Sequence, residues 1–328
     1  MKILVTGGAG YIGSITNALL HSQGHKTVVF DNLSNGHKEA VGKSKLIIGD
    51  LTDKDDVFRA FDGDSFDAVI HFAAYTLPGE SMLSPHKYFH NNIIGGLNLL
   101  EAMRTHGCRN IVFSSTCSVY GYPKDLPVAE TSSIAPVSVY GASKRMFEEI
   151  LDWYGKIYGI RNVKLRYFNA AGAALDGSLG EDHSPETHII PVALSVASGK
   201  KKQFELYGDD YETPDGTCIR DYIHVLDLAD AHIKALDYMI KHDASDTFNL
   251  GVGRGYSNRQ VLDEVKKITK KELNVVVAKR RPGDPDAIFA DNTKARKVLG
   301  WNPKYSDLHI IIKSAWKWHV KHPEGYGS

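Results

Sequence analysis

In the first half of the chain, short apolar runs alternate with longer stretches whose apolar residues recur at spacings of three and four. The short runs, at residues 3–6, 27–30, 46–48, 68–72, 111–114 and 163–167, predict buried strands. The longer ones, beginning near Tyr11, Asp53, Pro85 and Tyr140, predict amphipathic helices. Strands joined by helical crossovers form a parallel sheet covered on both faces, so the expected class is α/β with a doubly wound Rossmann sheet. Residues 170–191 interrupt the alternation with Gly, Pro, Asp and His, as a loop closing over a ligand does. A helix over 225–241 and a strand over 247–250 then resume it. The expected division is therefore interleaved. Residues 1–170 and about 221–250 form the larger, doubly wound domain, and about 171–220 and 251–328 form a smaller α/β domain, with residues 324–328 fraying at the end.

Composition narrows the partners. The 328 residues are 42% hydrophobic, enough for a sizeable core. Lys plus Arg and Asp plus Glu each number 39, so no net field selects nucleic acid or an anionic membrane, and any phosphate must be held by local placement. Lys200-Lys201-Lys202 and Lys279-Arg280-Arg281 are short basic runs of the kind that sit on solvated surfaces. Cys108, Cys117 and Cys218 are odd in number and scattered, which suits a reducing compartment better than a disulfide framework. Met1 leads directly into Lys2-Ile3-Leu4-Val5, and no apolar run approaches the roughly 20 residues that span a bilayer. The expectation is a cytoplasmic protein with neither membrane nor nucleic acid as a partner.

Gly7, Gly10 and Gly13 follow the first strand and open the first helix, with Tyr11 and Ile12 between the last two. Glycine lets the backbone turn sharply and approach a pyrophosphate, whose charge the helix N-terminus favours. The second strand ends at Asp31-Asn32, about 20 residues on, where a carboxylate can accept hydrogen bonds from an adenosine ribose. Asp31 would repel a 2′-phosphate, and Leu33-Ser34-Asn35-Gly36 supplies no arginine to hold one, so the expected cofactor is NAD. Asp50, after the third strand, either caps the next turn or meets the adenine.

Tyr140 and Lys144, four residues apart, share one helix face. They follow a strand whose carboxyl edge carries Ser114, Ser115 and Thr116, the edge at which doubly wound sheets place ligands. A lysine ammonium and an oxidised nicotinamide would lower the phenol's pKa, letting Tyr140 exchange a proton with a substrate hydroxyl held by Thr116. Cys117 has no histidine partner in the local sequence and is read as packing. His183 and His188 invite a metal, but Pro185 prevents helical spacing and no carboxylate or thiol pattern is evident, so no metal is expected.

The segments TGGAGYIG, HFAA, FSSTCSVYG, YGASK, LRYFNAAG and RDYIHVLDLA stand in the order found in extended short-chain dehydrogenases/reductases, which the chain resembles over nearly its whole length. GEDHSPETHIIP at 180–191, YGDDYETPDGTCIRDYIHV at 207–225, RPGDP at 281–285 and a WHxxHPxGY-like tail resemble UDP-glucose 4-epimerases more narrowly. The resemblance implies an NAD-dependent isomerase that interconverts UDP-glucose and UDP-galactose. In this family the sugar C4 is oxidised, the 4-keto sugar turns in place, and the same hydride returns to the opposite face. A homodimer is also implied.

Carried over by position, the resemblance makes Tyr140 the base, Thr116 its partner and Lys144 the residue on the nicotinamide ribose. It adds Asn32, Ser34, Asn35, Gly36, Asp50, Leu51, Phe72, Ala73, Ala74, Thr76, Asn91, Ser114, Tyr167 and Phe168 along the cofactor. Asn169, His188, Ile189, Tyr207, Arg220, Arg281 and Asp284 are implied around the UDP-sugar. Thr76 stands where such epimerases commonly carry lysine, an expected loss of cofactor affinity, and Ile15 stands in place of a frequent histidine. Ile288 occupies a position whose bulk governs access of N-acetylated sugars. A 4,6-dehydratase carries an Asp-Glu pair where this chain has Cys117-Ser118, which argues against that reaction. Epimerases of UDP-pentoses, UDP-uronic acids or UDP-N-acetylhexosamines, a sugar-nucleotide reductase, and a non-catalytic NAD(H) sensor remain the alternatives.

Overall fold

A computed structural model describes residues 1–281 and 283–327; Pro282, within the RPGDP segment, and Ser328 lie outside the described residues. The first half contains β1 (Lys2–Thr6), α1 (Tyr11–Ser22), β2 (Lys26–Asp31), β3 (Lys45–Ile48), α2 (Lys54–Phe61) and β4 (Ala68–His71), then α3 (Pro78–Leu83), α4 (Pro85–Phe89), α5 (Gly95–Thr105), β5 (Asn110–Thr116), α6 (Val139–Tyr158) and β6 (Arg161–Tyr167). The second half contains β7 (Asn169–Ala171), α7 (Ile189–Ala197), β8 (Phe204–Tyr207), β9 (Ile219–Arg220), β10 (Tyr222–His224), α8 (Val225–His242) and β11 (Asp246–Leu250). It closes with β12 (Tyr256–Ser257), α9 (Asn258–Thr269), β13 (Val275–Ala278), β14 (Ala287–Ile288), α10 (Thr293–Leu299) and α11 (Leu308–Lys321).

Seven strands form one sheet in the order β11-β6-β5-β4-β1-β2-β3, with every neighbouring pair parallel. Because side chains alternate across a strand, Ile3, Val5, Ile70 and Val112 face one core while Leu4, Val69, Ile111 and Phe113 face the other. The first core is closed by Leu228, Leu236 and Met239 of α8. The second is closed by Val57 and Phe61 of α2, Leu99 and Met103 of α5, and Phe147 and Leu151 of α6. Burial on both faces explains why β1, β2, β4 and β5 read as continuous apolar runs. Strand order reverses between β1 and β4, and the crevice beyond their carboxyl ends is where such sheets bind ligands.

A third core joins Ile190 and Leu194 of α7, Phe204 and Leu206 of β8, Val261 and Val265 of α9, and Ile311 and Ile312 of α11. The packing departs from the expected division at residues 295–301: Ala295, Leu299 and Trp301 belong to the first core, where the Trp301 indole donates to the Asp227 carbonyl at 2.8 Å. The helix expected near Pro85 is broken into α3, α4, a π turn at His90–Ile94, and α5. Pro78 and Pro85 each lack the N–H that would continue a preceding helical ladder, so each starts a helix instead. Among the described residues the tail is anchored, where fraying was expected; Ser328 lies outside them. The Tyr326 hydroxyl bonds to both N–H and carbonyl of Gly180, its main-chain N–H donates to Asp182 at 3.0 Å, and its ring lies 4.6 Å from Trp318.

Candidate active site

The glycine turn after β1 is shaped for close approach. Gly7 adopts φ +71°, and a Cβ there would lie 2.5 Å from the Ala73 nitrogen, so the turn packs directly on the Phe72-Ala73 backbone that leaves β4. A Cβ on Gly13 would lie 2.1 Å from the Gly7 carbonyl oxygen. Gly10 caps α1 with no side-chain hydrogen bond, which leaves the first-turn N–H groups available to an anion. These features fit a dinucleotide pyrophosphate, with Tyr11, Ile12 and Gly13 presenting the main chain and Phe72, Ala73 and Ala74 forming the opposite wall.

Asp31 ends β2 against this turn. Its carboxylate accepts the N–H groups of Ala9, at 3.0 Å, and Leu33, at 2.9 Å. Burial raises its pKa, and the two main-chain hydrogen bonds oppose that rise. Each oxygen keeps a further lone pair, so Asp31 can shape the glycine turn and still accept from a ribose. Asn32 donates to Asp50 at 2.9 Å and also accepts the Ser34 N–H, tying the ends of β2 and β3 together. Asp50 takes the N–H and hydroxyl of Thr52, while the cap of α2 falls to Asp53. Leu51 is buried beside them, and Asn35 and Gly36 complete the turn, with a Gly36 Cβ predicted 2.9 Å from that of Ala9. Thr76 is exposed on the other side of the crevice.

The second group gathers where β5 ends. Ser138 caps α6 by accepting the Gly141 N–H at 3.1 Å, which starts the helix at Val139 and sets Tyr140 and Lys144 one turn apart. Tyr140 is only 7% exposed, and its main-chain N–H donates to the Ser81 hydroxyl at 3.1 Å. The Lys144 ammonium donates to the Ser114 carbonyl at 2.8 Å and lies 4.8 Å from the Phe113 ring centre. Ser114 thus meets the site through its main chain. Its hydroxyl lies 2.9 Å from Nε2 of His232, a ring that burial keeps neutral by lowering its pKa to about 4. The Thr116 hydroxyl donates to Ser118 at 3.2 Å and acts on the Tyr140 phenol by lowering its pKa, and Tyr167 pairs in register with Thr116 on the neighbouring strand. Phe168 is buried against Val119, Tyr120 and Ile288.

Electrostatics correct one expectation. Burial drives the Tyr140 phenol well above its ordinary value, with the Tyr167 ring adding to the rise and the Thr116 hydrogen bond opposing it. Lys144 falls to about 7 for the same reason, against an opposing pull from Glu148. The expected acidification, which counted an oxidised nicotinamide as well as the lysine, is therefore not a property of the polypeptide by itself, because desolvation is the largest effect on the phenol. Cys117 is pushed up to about 12 by burial and stays a thiol, in keeping with a packing role.

Several residues on which the site depends carried no readable signal. Asn92, next to the expected Asn91, accepts the Tyr75 N–H and donates to Ser143 at 3.0 Å, joining the segment after β4 to the turn that bears Tyr140. Glu148 is fully buried and accepts from Ser115 at 2.6 Å and from Arg166 at 2.8 and 2.6 Å, locking α6 to β5 and β6.

The residues expected around a UDP-sugar fall into linked clusters. Arg220 donates to Asp284 at 3.3 Å and to the Pro285 carbonyl at 2.7 Å, and the Arg281 guanidinium lies 3.9 Å from the Tyr207 ring centre. Asp284 and Pro285 also border a depression of about 390 Å³ with Tyr122 and Leu126. Asn169 is held by the Asp221 carbonyl, which accepts both its main-chain and side-chain N–H groups. His188 and Ile189 open α7, whose N-terminus has no side-chain cap. His188 is not free, however: its Nδ1 contacts Glu181 closely. The expectation that no carboxylates accompany His183 and His188 is overturned, since Glu181 and Glu186 reach both rings. The turn at Ser184-Pro185 folds the segment back on itself, so helical spacing was the wrong test.

Comparison with known proteins accords with this geometry. Residues 3–251 match the NAD dependent epimerase/dehydratase family. A UDP-glucose 4-epimerase of Streptococcus mutans is 50% identical over 329 residues, covering 99% of both chains. One from Lacticaseibacillus casei is 48% identical, covering 100% of this chain and 99% of the relative. The crystal structure of UDP-glucose 4-epimerase from Bifidobacterium longum in complex with NAD+ and UDP superposes with a TM-score of 0.94 at 38% identity, covering 99% of this chain and 100% of that one. The chain belongs to the NAD dependent epimerase/dehydratase family, among its UDP-glucose 4-epimerases.

Proposed function

We propose that this chain interconverts UDP-glucose and UDP-galactose, keeping NAD bound through the cycle. The observation that carries the reading is the convergence of Tyr140, Thr116 and Lys144 at the carboxyl edge of β5, beside a glycine turn built for a pyrophosphate. NAD, when bound, supplies the hydride acceptor and returns the same hydride. The protein's part is to hold and move the proton. Thr116 orients the sugar C4 hydroxyl, Tyr140 takes its proton and later gives it back, and Lys144 holds the nicotinamide ribose. Asn91, Ser114, Tyr167 and Phe168 line the cofactor in this reading.

UDP is the anchor. Arg220 and Arg281 can each present a planar fork to phosphate oxygens, while Asn169, His188, Ile189, Tyr207 and Asp284 complete its site. Binding energy taken from this remote group retains the keto sugar while the reacting ring stays free to turn. Ile288, 5% exposed and paired in register with Arg220, is a branched wall at the expected sugar end. Incubation with UDP-galactose should yield UDP-glucose without added NAD. Accumulation of NADH in step with product would mark a reductase or dehydrogenase, and NAD binding with no conversion would mark a sensor.

The proposal includes a cytoplasmic homodimer. Met146, Trp153 and Ile157 lie along one stripe of α6 and are 50%, 58% and 62% exposed, an apolar face of the kind helices bury against a second copy. Trp153→Glu should convert the dimer to monomer in sedimentation; a wild-type chain that sediments as a monomer would refute this part. The described residues include no helix long and apolar enough to cross a membrane.

A further inference from the structure

Between the glycine turn and α7, four side chains from residues 181–188 converge on one point. One ring nitrogen each from His183 and His188 and one carboxylate oxygen each from Glu181 and Glu186 all lie within 4.8 Å of one another. We propose that these four residues form a structural site for a tetrahedral divalent transition-metal ion of the zinc class.

The spacings favour a metal over ion pairs. Nδ1 of His183 lies 3.3 Å from Oε1 of Glu181 and 3.6 Å from Oε2 of Glu186, and Nδ1 of His188 lies 3.7 Å from Oε1 of Glu186. An N–H···O hydrogen bond would draw each pair to about 2.9 Å. A tetrahedron with metal–ligand bonds of about 2.0–2.1 Å has edges of about 3.3–3.4 Å, which the His183–Glu181 separation matches, and Glu186 faces the two rings with one oxygen each at slightly longer range. Only the His188–Glu181 contact is tighter. Two imidazoles and two carboxylates are also a ligand set that zinc accepts, and they would balance its charge exactly once with both rings neutral.

The surroundings supply support and access. Glu181 is 7% exposed, and its carbonyl accepts the Trp318 indole N–H at 3.2 Å. The Asp182 carbonyl lies 3.0 Å from Nε2 of His37, and the Asp182 carboxylate takes the Tyr326 N–H. The segment is thus braced from both sides before any ion arrives. A cavity of about 210 Å³ opens onto Glu181, His183 and Glu186, with His319 and His322 among its other walls, and gives an entry path. Four protein ligands leave no open coordination position, so the ion holds the loop that leads into α7 and takes no part in bond making.

The test uses the untagged full-length protein, stripped with EDTA and then titrated with zinc or cobalt. The wild type should take up about one zinc per chain, melt at a higher temperature when loaded, and show the intense visible bands of tetrahedral cobalt. His183→Gln and Glu186→Gln, each checked for folding by circular dichroism, should bind roughly 100-fold more weakly or worse and lose the cobalt bands. Wild-type melting that is indifferent to zinc, together with the absence of tetrahedral cobalt bands, would overturn the site and leave a cluster of His–Glu ion pairs. Equal uptake by the wild type and both variants would overturn it as well.

Discussion

Tyr140→Phe should lower turnover by roughly 10²–10⁴-fold, the range that a positioned acid–base group supplies, while leaving the affinity for UDP nearly unchanged. The substitution removes only the hydroxyl. The main-chain N–H that bonds to Ser81 and the buried ring both remain, so the local fold has no reason to change. Thr116 and Lys144 also stay in place, and the uridine and diphosphate anchors lie on other elements. Steady-state rates with UDP-galactose, set beside calorimetric titration with UDP, separate the two effects. Residual turnover above about a tenth of wild type would remove Tyr140 from the proton-transfer role.

The largest expected loss of stability comes from Glu148→Ala. The carboxylate is fully buried and bonded to Ser115 and, through two oxygens, to Arg166. Arg166 is itself 5% exposed, and without Glu148 its charge keeps, among the described residues, only the Tyr120 hydroxyl, at 2.9 Å, as a side-chain hydrogen-bond partner. Removing one member of a buried ion pair costs about 3–5 kcal/mol because the other charge stays desolvated. Urea unfolding of the single variant should show that loss. The double variant Glu148→Leu with Arg166→Met should recover most of it, since well-packed apolar replacements of a buried pair are often neutral. If the single variant loses less than about 1 kcal/mol, the pair does not anchor α6 to the sheet. The functional consequence follows from position, because Glu148 lies one turn beyond Lys144 on the helix that also presents Tyr140.

Local patterns announced the elements that local physics governs. The strands β1, β2, β4 and β5 were legible because burial on both faces demands continuous apolar runs, and Gly7 and Gly13 stood out because side chains there collide with backbone. Contacts across long sequence separations were not legible. Nothing near Ser81 or Asn92 signals that they steady the turn bearing Tyr140, for their partners are 59 and 51 residues away. Tyr326 escaped for the same reason, since its partners at Gly180 and Asp182 lie in a different loop. Desolvation of the Tyr140 phenol was not legible either, because it depends on how deeply the tertiary fold buries the ring. Glu181 and Glu186 were in plain view, but their relation to His183 and His188 depends on a turn and not on a helical period.

The central claim is that the hydrogen on the sugar's C4 leaves and returns within one binding event. It can be followed directly with UDP-galactose deuterated at C4, incubated with the wild-type protein without added NAD. The account predicts UDP-glucose that keeps its deuterium at C4, with no NADH released. Loss of the label to solvent, or NADH formed in proportion to product, would contradict it.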